Sequence, residues 1–198
     1  MHELTRLCRE TDSDKGSGNH IYTEFYGPLL NPYRQIFTNI LEVGIGTGGS
    51  LKLWQFFFPN AEIYGIDNLH YGLSLPDHIL SDPKLNIYLR EAYDMNIIDE
   101  LSKSEIKFDL ILDDGSHKPE DQLFFLNNYI KLLKEDGILL VEDVYSLGVA
   151  YYLVENFMGD KNRVSIIDRR LNETKRSINE SLLGKQQANH NEIIIIYM

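Results

Sequence analysis

The feature that most restricts the fold is a glycine-rich turn, Glu42-Val43-Gly44-Ile45-Gly46-Thr47-Gly48-Gly49, set between a strand-like run and a helix-like one. Residues 39–45 (NILEVGI) read as the strand and 49–58 as the helix. Glycines at such a junction let the backbone turn sharply and approach a ligand closely. Their placement matters more than their number. The alternation then continues. Strands are expected at 62–67 (EIYGID), 86–91 (NIYLRE), 108–114 (FDLILDD) and 137–144 (GILLVEDV), with helices at 96–104 and 118–134. The last helix opens with Lys-Pro-Glu-Asp, which places proline and acids in its first turn. Short apolar strands alternating with helices imply a parallel sheet covered on both faces.

The two ends differ from this middle. The segment TDSDKGSGNH (11–20) reads as a loop. Residues 22–37 carry aromatics and leucines at helical spacing, with breaks expected near Pro28 and Pro32. Beyond 145, a helix is expected at 147–158 and strands at 163–169 and 192–197, the last two antiparallel. The expected fold is therefore an α/β, three-layer, Rossmann-like sandwich with a seven-stranded, mostly parallel sheet and an antiparallel last strand. A chain of 198 residues fits one domain, with 1–38 as a helical cap and 39–198 as the core. The 161–176 stretch holds six basic residues and two acids, and reads as a solvated face or, alternatively, an anion-attracting rim.

Two acids narrow the ligand of the glycine turn. Asp67 ends the second strand, where an acid can accept hydrogen bonds from ribose hydroxyls. Glu42 stands just before the first glycine. A carboxylate there would repel a pyrophosphate but suits the sulfonium and ammonium groups of S-adenosylmethionine.

A second constellation lies at two strand ends, Asp113-Asp114-Gly115-Ser116-His117 and Glu142-Asp143. Neighbouring strands lie about 4.8 Å apart, so Asp114, Glu142 and Asp143 converge if their strands are adjacent. Packed carboxylates repel unless a cation joins them. Mg²⁺ or another hard divalent cation would do so. His117, three residues past Asp114, is then a candidate general base. Ser116 lacks a nucleophile elbow and reads as a helix cap.

Composition removes several alternatives. The single cysteine, Cys8, excludes an intramolecular disulfide framework and a multi-Cys zinc site. No run approaches the ~18 apolar residues of a membrane span, and MHELTRLCRE holds no apolar secretory core. A cytoplasmic protein with no membrane partner is expected. A net charge of −11 argues against nucleic acid as the main partner.

Taken together, TDSDKGSGNHIYTEFY, ILEVGIGTGGSLKLW, IYGIDN, ILDDGSH and LLVEDV, in that order over residues 11–144, resemble class I S-adenosylmethionine-dependent methyltransferases. Within that group the chain is similar to the metal-dependent macrolide-sugar O-methyltransferases, of the mycinamicin and demethylmacrocin type, and to the cephalosporin hydroxylase family. The resemblance implies a metal held by Asp114, Glu142 and Asp143, with His117 as base. It implies a cofactor site lined by Glu42, Gly44, Gly46 and Asp67. Arg90-Glu91 replaces the Gly-Asp pair of many relatives; Glu91 is taken into the cofactor set, as is Asp113. His20, Tyr22 and Tyr26 either fold over the cofactor or pack as a plain helix. Trp54 is a core or interface aromatic, and one of Phe56, Phe57 and Phe58 is a candidate subunit contact in a homo-oligomer. The expected activity is methyl transfer to a hydroxyl of a small-molecule acceptor, sugar or natural product. The rival readings are an NAD-dependent oxidoreductase and a non-catalytic binding or auxiliary protein.

Overall fold

The computed structural model describes residues 3–16, 22–70, 74–169 and 193–198. Helices α1 (Glu3–Glu10) and α2 (Tyr22–Leu30) precede β1 (Asn39–Val43). There follow α3 (Gly49–Phe57), β2 (Glu62–Asp67), the one-turn α4 (Asp77–Leu80), β3 (Leu85–Leu89), α5 (Met95–Lys103) and β4 (Phe108–Asp113). The chain continues through α6 (Pro119–Tyr129), β5 (Leu133–Val144), α7 (Leu147–Asn156), β6 (Val164–Asp168) and β7 (Ile193–Tyr197). The strands form one seven-stranded sheet in the order β3-β2-β1-β4-β5-β7-β6. The first five are parallel, and β7 runs antiparallel to both β5 and β6. The mixed sheet expected from the sequence is found, with β7 seated inside β6.

Alternation along the strands divides the core into two layers. Ile40, Leu110, Leu112, Ile138 and Leu140 face α1, α2 and α3. Leu41, Val43, Ile111, Leu139 and Val141 face α5, α6 and α7. Central strands covered on both sides are apolar between their ends, which accounts for Leu110-Ile111-Leu112 in β4 and the isoleucine run 193–196 in β7. The same parity sends Glu42, Asp114 and Glu142 to the α1–α3 side, which decides what they meet.

Three local expectations are corrected. Helix α2 runs through Pro28 to Leu30, followed by a 3₁₀ turn at Asn31–Tyr33. Proline removes only one hydrogen bond there, and the buried Tyr22, Tyr26 and Leu30 hold the helix from one face. Helix α6 stops at Tyr129, and a 3₁₀ turn leads directly into β5 from Leu133, which pairs with Phe108. The early start of β5 brings Lys134 Nζ to 2.8 Å from Asp109 Oδ1. Asp109 also accepts the backbone N–H groups of Thr38 and Asn39, at 2.8 and 2.9 Å, and so ties the starts of β1, β4 and β5 together. In the basic stretch, Arg163 stacks on Tyr197 and Arg169 covers Tyr22 and Phe25 rather than forming a purely solvated face. Arg170, Lys175 and Arg176 of that stretch, with His20 and His190, lie outside the described residues.

Candidate active site

A cleft of about 300 Å³ opens beyond the carboxyl ends of β1, β2 and β4, lined among others by Gly44, Gly46, Asp67, Glu91, Tyr93 and Asp114. This is where a doubly wound sheet places its ligands. Gly44 has φ +80°, and a Cβ there would lie 2.1 Å from the carbonyl oxygen of Asp114. Only glycine lets the first turn pack so closely on the loop after β4. Asp67 Oδ2 accepts the N–H groups of Ile45 and Gly46 at 2.9 and 3.1 Å, and its Oδ1 accepts that of Leu69 at 2.6 Å. It therefore shapes the turn, while a carboxylate keeps further lone pairs for a ribose. Glu91 lies on the facing wall, accepting from Asn68 Nδ2 at 2.8 Å and the Tyr93 N–H at 3.1 Å. Neighbouring Arg90 pairs with Glu100. His70 also lines the cleft.

Two residues of the expected cofactor set lie beneath this wall rather than on it. Glu42 is fully buried, with Oε2 3.2 Å from Trp54 Nε1 and Oε1 3.4 Å from Lys15 Nζ. Burial raises its carboxyl to about 7, against the pull of Lys15. Asp113 is 1% exposed; it accepts the Tyr93 hydroxyl at 2.7 Å, and its other oxygen has no partner among the described residues. Burial raises Asp113 to about 7, with the Tyr93 hydrogen bond opposing. The Tyr93 hydroxyl also accepts the Ser116 N–H at 3.1 Å, which fixes the loop carrying Asp114 and His117.

Asp114 belongs both to the cleft and to a second group. Asp114, His117 and Asp143 each offer a metal-ligating atom, all within 4.8 Å of one another. His117 Nε2 lies 3.2 Å from Asp114 Oδ1 and 3.7 Å from Asp143 Oδ2. His117 and Asp143 both have positive φ, +58° and +51°. Left-handed backbone at non-glycine positions is uncommon and costs free energy. Here it turns both side chains toward Asp114. Burial disfavours the charged imidazole, but the hydrogen bond and charge of Asp114, with Asp143 and Asp113, outweigh it and raise the His117 pKa.

The carboxylates have protein partners on their other side. Lys15, from the segment read as a polar loop, is 1% exposed. Its Nζ lies 2.6 Å from both Asp114 Oδ2 and Glu142 Oε2. The Tyr26 hydroxyl donates to Glu142 Oε1 at 2.5 Å, and the Tyr22 hydroxyl to Asp143 Oδ1 at 2.5 Å. Burial penalises the Lys15 ammonium, yet Asp114, Glu142 and Glu42 hold its pKa well above the ordinary value. Asp114 is held below its usual range: burial opposes this, but the charge of Lys15 and the His117 hydrogen bond win. Burial dominates at Glu142 and raises it.

The expected ligand trio of Asp114, Glu142 and Asp143 is thus redistributed. Asp114 and Asp143 come together with His117, and Glu142 is committed to Lys15 and Tyr26. Sequence reasoning missed Lys15, although strand parity carried a signal. Glu42, Asp114 and Glu142 share one face at adjacent strand ends, and two buried acids with a half-buried third there demand a cation. The two carboxylates of Asp114 and Asp143, gathered at a strand-end cleft beside His117, fit a hard divalent cation. The acid-lined glycine cleft fits a nucleoside bearing a cationic centre.

A family model described as a methyltransferase domain matches residues 37–191. The 8-demethyl-8-(2-methoxy-alpha-L-rhamnosyl)-tetracenomycin-C 3'-O-methyltransferase of Streptomyces olivaceus is 27% identical over 151 residues, covering 73% of this chain and 37% of that protein. The mycinamicin VI 2''-O-methyltransferase of Micromonospora griseorubida is 25% identical over 151 residues, covering 73% and 36%. The chain thus spans less than two fifths of the length of these two relatives. The solved structure of the MycE methyltransferase from the mycinamycin biosynthetic pathway, in complex with Mg, SAH and mycinamycin VI, shares the fold. Its TM-score is 0.69 at 19% identity, over 98% of this chain and 53% of that one.

Proposed function

The chain belongs to the methyltransferase-domain family, and we propose that it is an S-adenosylmethionine-dependent, divalent-cation-assisted O-methyltransferase acting on a hydroxyl of a small sugar or natural-product acceptor. The observation that carries this is the double membership of Asp114, which lines the glycine cleft and also faces His117 and Asp143. A methyl donor in the cleft would end beside a proton acceptor. The relative named for a rhamnosyl-tetracenomycin C and the one named for mycinamicin VI, both O-methyltransferases, support a glycosylated natural-product acceptor. The family removes the motive for the oxidoreductase reading. Among the described residues no helix is long and apolar enough to cross a membrane. The net charge of −11 favours a small molecule over nucleic acid as partner.

Each residue then has a task. Asp67, fixed by the turn it braces, accepts from the ribose, and Glu91 bounds the opposite wall. Asp114 and Asp143 are the carboxylates available to a divalent cation, with Glu142 held behind them by Lys15 and Tyr26. That cation, when bound, would lower the pKa of an acceptor hydroxyl. His117 Nε2 takes the hydroxyl proton, and Tyr22 and Lys15 keep the carboxylates in place during the transfer. The acceptor oxygen takes the methyl from the sulfonium, leaving S-adenosylhomocysteine, an ether and a proton on His117. Positioning supplies much of the acceleration.

Methyl-labelled S-adenosylmethionine, offered with a panel of glycosylated polyketides, tests this. Label is expected on a sugar hydroxyl, lost on chelation and restored by Mg²⁺. Transfer that is undiminished after exhaustive chelation contradicts the divalent-cation part. Failure to bind S-adenosylhomocysteine contradicts the whole reading.

A further inference from the structure

Lys15 is a buried lysine whose ammonium meets acids from β1, from β5 and from the residue directly after β4. Its Nζ lies 2.6 Å from Asp114 Oδ2 and Glu142 Oε2 and 3.4 Å from Glu42 Oε1. The segment that carries it is held in place: the Lys15 carbonyl accepts the Thr23 N–H at 3.0 Å, at the start of α2. From α2, Tyr22 and Tyr26 reach Asp143 and Glu142. The carboxylate centre therefore already contains a cation supplied by the chain, on the side of Asp114 opposite His117.

We infer that Lys15 is a positioning residue, a resident cation that holds Asp114 and Glu142 together when no metal is bound and keeps divalent-ion binding at this centre weak. The inference rests on the reading of Asp114 and Asp143, beside His117, as the divalent-ion site. Like-charged carboxylates on one sheet face repel unless a cation lies among them. The Lys15 ammonium meets that need permanently. An ion entering on the His117 side shares Asp114 with the ammonium, so the two cations repel through one carboxylate. Two oxygens that would otherwise face the ion are already engaged. Removing the charge of Lys15 while keeping its bulk reverses both effects. It leaves a centre that needs the ion and binds it more tightly, whereas a merely structural lysine would leave a damaged, weaker site.

The test is Mn²⁺ binding, followed by the loss of the free-ion paramagnetic resonance signal, in wild type, Lys15→Met and Lys15→Gln. Melting curves with chelator and with saturating Mn²⁺ accompany it. Both variants are expected to bind Mn²⁺ at least tenfold more tightly than wild type and to gain more melting temperature from it. A variant that folds only in Mn²⁺ gives the same support. A folded variant that binds Mn²⁺ with equal or lower affinity overturns the inference, as does one that stays unfolded with and without Mn²⁺. If wild type binds no Mn²⁺ but the variants do, Lys15 is upheld as the resident cation and the divalent-ion reading of function fails. Binding in none of the three proteins overturns both.

Discussion

Lys15 Nζ and Asp114 Oδ2 lie 2.6 Å apart although 99 positions separate them in the chain. This contact, repeated at Glu142, fastens the N-terminal segment to the strand ends where the candidate chemistry is gathered. Breaking a buried pair by removing one partner typically costs about 3–5 kcal/mol, so the N-terminal segment is part of the centre rather than an appendage.

The hydroxyl of Tyr26 is the donor to Glu142 Oε1, inside a fully buried environment. Tyr26→Phe keeps the ring packed against Trp54 but strands that oxygen. A loss of about 1–3 kcal/mol in unfolding free energy is expected, read from urea denaturation with an unchanged slope. A midpoint equal to that of wild type would show that Glu142 is satisfied without Tyr26.

Gly44→Ala combines positive φ with a Cβ placed 2.1 Å from the Asp114 carbonyl. The first turn and the loop after β4 must separate. A loss of at least ~2 kcal/mol is expected, with S-adenosylhomocysteine affinity falling more than tenfold. Gly46→Ala is the control for stability, because Gly46 shares the positive φ (+50°) but its Cβ would meet nothing within 4 Å. Equal stability losses in the two variants would count against close packing at Gly44 as the cause.

Asp109 gives the pH dependence a defined sign. Burial tends to raise its carboxyl, but Lys134 and the backbone N–H groups of Thr38 and Asn39 lower it below the ordinary value. A group whose folded pKa is depressed stabilises the fold above its unfolded pKa and loses that contribution as pH falls through the folded one. Wild type should therefore lose stability between about pH 4, the ordinary aspartate value, and more acid conditions. Asp109→Asn should be less stable than wild type at pH 7, with a smaller difference in acid. A difference that grows on acidification contradicts the assignment.

His117→Ala tests the proton acceptor. A positioned base typically contributes 10²- to 10⁴-fold, so kcat should fall within that range on an identified acceptor, with S-adenosylhomocysteine affinity unchanged. A near-wild-type kcat would transfer the role to a carboxylate or to solvent.

Much of this arrangement was legible in residue order. The apolar runs were short enough to be strands, and Gly44, Asp67 and Asp114 sit at strand ends, where any doubly wound sheet exposes them. Glu42 was legible as an acid beside the turn but not as a buried one. Its parity with Ile40 sends it into the α1–α3 layer, below Trp54. Lys15 was hidden because its neighbours are small and polar, which is how a solvated loop reads, and its partners lie about 30 to 130 positions away. The committed state of Glu142 was hidden for the same reason. The donor Tyr26 reads as ordinary helix packing until the helix is placed over β5. His117 and Asp143 could be named, but not the left-handed backbone that aims both at Asp114.

The central claim, a methyl-donor cleft ending at Asp114, is tested most directly by calorimetric titration of S-adenosylhomocysteine into wild type and Asp67→Ala, with NAD as the competing ligand. One S-adenosylhomocysteine per chain is expected, weakened at least tenfold in the variant, with no binding of NAD. Binding of NAD in place of S-adenosylhomocysteine, or no S-adenosylhomocysteine binding by folded wild type, would contradict it.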